Sequence, residues 1–87
     1  MKTCNGFACE KLRKAQRGEQ FLIVLDGAPN PLRLGGEDSD DDSILTFICF
    51  SDSCITFSFL TDEGELQLAI INCEEIAAFV PLNNSTV

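Results

Sequence analysis

Residues 44–60, ILTFICFSDSCITFSFL, decide how this chain is read. Two runs rich in β-branched and aromatic residues, ILTFICF (44–50) and ITFSFL (55–60), flank Ser51-Asp52-Ser53. Such runs fit a pleated, half-buried surface, and the short polar link between them signals a tight hairpin. Phe47, Cys49, Ile55, Phe57 and Phe59 are expected on its core face, with Thr56 and Ser58 alternating outward.

Downstream, Thr61-Asp62-Glu63-Gly64 reads as the next turn, with Gly64 supplying a positive φ. LQLAIIN (66–72) predicts a fourth strand, and IAAFVPL (76–82) a fifth, closed by Pro81. Upstream, FLIVLDG (21–27) is a continuous apolar run bounded by Gly18 and Gly27, which predicts the first strand. Pro29 and Pro31 keep the following segment out of a sheet interior, although Leu32 and Leu34 around Arg33 allow a short strand. Residues 5–17 predict a helix. Asn5 is its N-cap, and Phe7, Ala8, Leu12 and Ala15 form a narrow apolar stripe. Lys11, Arg13, Lys14 and Arg17 crowd its C-terminal end, where the helix dipole favours cations, and Gly18 stops it. The polar tail, 83–87, is expected to fray. The expected fold is mainly β (α+β by count) in a single domain, 1–87. A short N-terminal helix precedes a five-stranded, strongly bent antiparallel sheet or small β-barrel core over 21–82.

Composition narrows function by exclusion. The chain has 87 residues, 6 Lys and Arg, 14 Asp and Glu, no His, and a formal charge of −8. Without His, Ser-His, Cys-His and His-metal chemistry is unavailable. Direct nucleic-acid binding depends on bases neutralising phosphates, and this balance opposes it. No apolar run approaches the length of a membrane span. No phosphate loop, Walker pattern or nucleophile elbow is present, so no enzyme and no cofactor are expected. The start of the chain lacks the apolar core of a secretory signal, which makes a cytoplasmic location and free thiols the expectation.

Charge is segregated. All bases lie within the first 33 residues, and residues 34–87 carry acids only. Glu37, Asp38, Asp40, Asp41 and Asp42 stand in a charged loop, 36–43. Asp62, Glu63, Glu65, Glu74 and Glu75 form a second acidic group. Both are candidate contacts for a protein partner with a basic surface. The alternation of Asp38, Asp40 and Asp42 superficially suggests calcium, but Ser43 and Cys49 occupy the sixth and twelfth places where an EF-hand needs Gly and an acid. Ser85-Thr86-Val87 has the shape of a PDZ ligand. Among the cysteines, Cys4 and Cys9 repeat the spacing of Cys49 and Cys54, with Cys73 apart. Four thiolates can hold zinc, so the first four are weak metal candidates. Buried thiols are the plainer reading.

The helix LRKAQR, the strand FLIVLDG and the ending LQLAIINCEEIAAFVP give the chain the look of a small Sm-like barrel. Src-homology-type barrels share the element order. The resemblance implies a short helix followed by a five-stranded bent sheet. The basic and polar loop signatures by which Sm-like proteins grip RNA are absent, the matching region reading Asn72-Cys73-Glu74-Glu75, so no RNA site is implied. Sm-like rings assemble by strand-edge pairing, which implies a homo-oligomer wherever a sheet edge is open. Three functions follow as expectations. The first is a non-enzymatic protein-protein interaction module using an acidic surface and an open strand edge. The second is an acidic nucleic-acid mimic that inhibits a DNA- or RNA-binding enzyme, as phage anti-defence proteins do. The third is a cysteine-based metal or redox protein.

Overall fold

The hairpin forms where the sequence places it, and the sheet grows from it. The structure, a computed structural model, describes residues 7–35 and 42–82. Helix α1 (Phe7–Arg13) precedes strands β1 (Gln20–Leu25), β2 (Leu45–Ser51), β3 (Cys54–Leu60), β4 (Leu66–Asn72) and β5 (Ile76–Pro81), with a 3-10 turn at Cys73–Glu75. The strands form one antiparallel sheet in the order β4-β3-β2-β1-β5. A helix and five strands are thus as expected, but the barrel does not close. Among the described residues no ladder joins β4 to β5, and each leaves one edge open.

Helix α1 is shorter than the stripe predicts. Past Arg13 the Lys14 and Ala15 amides donate to the Lys11 and Leu12 carbonyls, three residues back, which tightens the last turn. Glu19 Oε1 then accepts from the Gln16 amide at 2.7 Å. The Gly18 amide, on a residue at φ 98°, donates to Phe47 O and ties the chain to β2. The expected N-cap Asn5 lies outside the described residues. The Leu32–Leu34 segment forms no strand. It is held by single bonds, Leu32 N–H to Ile23 O and Ser43 N–H to Leu32 O, and by the Leu34 amide donating to Ser43 Oγ at 2.6 Å.

The core is the inner face of the bent sheet, closed at one end by α1. Leu12, Ile23, Leu45, Ile55, Phe57 and Cys73 are its largest fully buried side chains. Phe57 meets Phe21 and Phe47 edge-on, with ring centroids 6.5 and 6.3 Å away. Phe47, Ile55, Phe57 and Phe59 share this core as expected, whereas Cys49 is exposed. The reason is a bulge. Phe47 pairs with Phe57, but Cys49 pairs with Thr56, so Ile48 is an extra residue and reverses the alternation after it. Ser58 departs the other way. It belongs to the outer face, yet it is buried.

The β2–β3 turn is Asp52-Ser53, and both residues have positive φ, 52° and 78°. This is the type I′ geometry that suits the twist of a two-residue hairpin, built here without glycine. A left-handed conformation costs an L-residue roughly 1–2 kcal/mol. Ser53→Gly is therefore expected to stabilise the fold by about 0.5–1 kcal/mol after the entropic cost of glycine. Thermal unfolding would read this as a rise in midpoint of a few degrees. A fall would show that the Ser53 side chain matters to the turn.

Candidate functional site

Alternation along β4 sends two sets of side chains to opposite faces. Gln67, Ala69 and Ile71 pair with Phe59, Phe57 and Ile55 on the inner face. Leu66, Leu68 and Ile70 pair with Leu60, Ser58 and Thr56 on the outer face. Nothing among the described residues covers that outer row. Leu66, Leu68 and Ile70 are 68%, 64% and 70% exposed, and Leu60 and Ile44 are exposed beside them. The row lies on a strand whose far edge has no partner among the described residues. An exposed apolar edge strand is a ready template for another strand.

The second acidic group does not form one cluster. Asp62, Glu63 and Glu65 stand at the β3–β4 turn, where Thr61 Oγ1 accepts from the Glu65 amide. Glu74 and Glu75 stand in the 3-10 turn, where Asn72 Oδ1 caps the Glu74 amide at 2.8 Å. All five are exposed, and the length of β4, about 20 Å, separates the two sets. The apolar row is bracketed by acid at both ends. Of the charged loop, Glu37, Asp38, Asp40 and Asp41 lie outside the described residues. Asp42 is engaged, its Oδ1 3.1 Å from Arg33 Nε.

A groove of about 400 Å³ opens on the outer face beside the start of β4. Ile44, Leu60 and Leu66 supply apolar lining, Gln20, Thr46 and Ser58 polar lining, and Asp42 and Asp62 acid. A wider cleft between α1, the hairpin turn and the 3-10 turn is lined by Cys9, Glu10, Arg13, Ser53, Asn72, Glu74 and Glu75. There the Arg13 guanidinium lies 5.8 Å from the Phe50 ring centroid.

The cysteines are arranged otherwise than their spacing suggests. Cys9 and Cys73 form a disulfide across a sequence separation of 64, so Cys9 is neither a free thiol nor a metal ligand. It ties α1 to the 3-10 turn. Cys49 and Cys54 are exposed free thiols on the outer face of the hairpin, and Cys4 lies outside the described residues. Among the described residues no three Cys, Asp or Glu side chains converge as metal ligands. No helix among them is long and apolar enough to cross a membrane.

The exposed row on β4 escapes a reading of the sequence for a specific reason. LQLAIIN is apolar on both parities, with Ala69 and Ile71 on one and Leu66, Leu68 and Ile70 on the other. Gln67 alone marks one parity as polar, and it marks the inner one. Comparison with known protein families, curated proteins and solved structures finds no match for this chain.

Proposed function

We propose that this protein is a non-enzymatic interaction module that accepts an extended segment of a partner protein along the β4 edge. The exposed row Leu66, Leu68 and Ile70 on a strand with one edge unpaired among the described residues carries this reading. In β-augmentation, main-chain bonds supply affinity and alternate side chains supply specificity. Charge defines the occupant: alternating apolar residues to cover the row, with basic residues at the ends to meet Asp62, Glu63 and Glu65 on one side and Glu74 and Glu75 on the other. An apolar strip between the acids favours strand docking over nucleic-acid mimicry, which calls for carboxylates in place of a phosphate row. The cytoplasmic location stays within this proposal, with the Cys9–Cys73 disulfide, a bond that persists in oxidising compartments, as the observation against it.

A second copy of the chain is a further candidate occupant. The opposite edge, β5, is also open among the described residues, and basic α1 packs beside it. Its β5 would approach β4 with Lys and Arg facing acid, a head-to-tail contact.

The test uses the full chain and a seven-residue peptide of alternating Val and Thr with Lys at each end. Fluorescence anisotropy should show binding that weakens with salt and disappears in Leu68→Lys. That substitution is on an exposed side chain and should leave thermal stability nearly unchanged. Equal binding by wild type and variant would remove β4 as the docking strand. Sedimentation decides between occupants. A monomer that binds peptide supports the partner reading, and an oligomer dispersed by Leu68→Lys supports the second copy. Duplex DNA competing with the peptide would favour the mimic.

A further inference from the structure

The groove beside β4 has a built interior. Ser58 sits in the middle of β3, is only 8% exposed, and contributes to the groove lining. Ser43 Oγ, also in the lining, is held by the Leu34 amide. Thr46 lies directly across the ladder from Ser58, and Gln20 directly across from Thr46, so three polar side chains cross the sheet in one row. Leu60 and Leu66 pair with each other and, with Ile44, make apolar lining. Two carboxylates also line it. Asp42 is taken by Arg33, but Asp62 has no ion partner among the described residues.

We infer that this groove is an arginine pocket, which receives one basic side chain from the strand docked on β4. The inference rests on the docking proposed above and adds what fixes its register. A strand paired to the open edge of β4 lies about 4.8 Å beyond it. A side chain from that strand must cross Leu66 to enter the groove. Lys and Arg have apolar stems that lie along such surface while the charged head reaches a polar end. Of the groove's acceptors, the Ser58 hydroxyl on β3 and the Asp62 carboxylate just after it stand nearest that head, since β2 and β1 lie one and two strand spacings farther on. Guanidinium carries five donors in a flat fork and no acceptor, and it is more weakly hydrated than ammonium. An apolar side chain would cover Ser58 without bonding it, and an acidic one would face Asp62.

Four seven-residue peptides of alternating Val and Thr test this. Two carry a single Arg, at one end or the other, and two carry citrulline, the neutral isostere, in its place. At low salt one Arg peptide should bind the full-length, disulfide-bonded protein roughly ten-fold more tightly than its citrulline counterpart. Asp62→Asn and Ser58→Ala should each erase most of that preference. Asp62 is exposed, so its variant keeps the result independent of any folding defect at Ser58. Equal affinity for Arg and citrulline, with Leu68→Lys still abolishing both, overturns the arginine pocket and leaves strand docking standing. No binding by any peptide overturns both.

Discussion

Phe57→Ala is expected to cost about 3–5 kcal/mol of folding stability. Phe57 is fully buried at the centre of β3, between ladders to β2 and β4. Its ring joins the edge-on contacts to Phe21 and Phe47, and Phe21 carries the chain of rings on to Phe79 at 5.7 Å. Truncation leaves a cavity walled by strands that cannot collapse, because their ladders fix their spacing. Domains of this kind are stable by only about 5–15 kcal/mol. The variant should therefore lie close to its unfolding threshold, with a sharply lowered denaturant midpoint. Urea titration followed by circular dichroism reads this directly. A loss below about 1 kcal/mol would mean that the three rings do not form the centre of the core.

Removing the disulfide is the second large effect. Cys9 and Cys73 close a loop across a separation of 64, which in the chain-entropy account restrains the unfolded state by about 4 kcal/mol. The local effect adds to it. Helix α1 has seven residues, too few to persist in water alone, and it covers the core through Ala8 and Leu12. Replacement of both cysteines by Ala is expected to lower the melting midpoint by roughly 15–30 °C. Wild type under a strong dithiol reductant should behave alike. Helical signal should go before the sheet, since α1 has only packing left to hold it. Coincident curves for oxidised wild type and the double variant would show that α1 docks without the bond.

Phe57 and the Cys9–Cys73 bond mark how far the sequence could be read. Phe57 was legible because Ile55, Phe57 and Phe59 alternate with Thr and Ser, a period of two that only a strand explains. The same period misplaced Cys49. A bulge at Ile48 adds one residue without any change in composition, and from there onward each side chain changes face. The disulfide was illegible because pairing follows spatial approach. The matching spacings of Cys4 with Cys9 and Cys49 with Cys54 carry no information about which sulfurs meet. The acidic residues were legible as surface. Their division into two sets across β4 follows from the strand between them, which the linear charge pattern does not contain. The apolar row on β4 was the hardest feature, because burial depends on what another element covers, and both faces of LQLAIIN are apolar enough to be core.

The Cys9–Cys73 bond also gives the chain a covalent property that its fold alone would not. Every peptide bond from residue 9 to residue 73 lies inside a closed covalent ring that takes in β1 to β4. A single cut anywhere on that ring, by a protease or by chemical scission, opens it without releasing a fragment. The nicked protein remains one molecule, and its two pieces part only when the sulfur bridge is reduced.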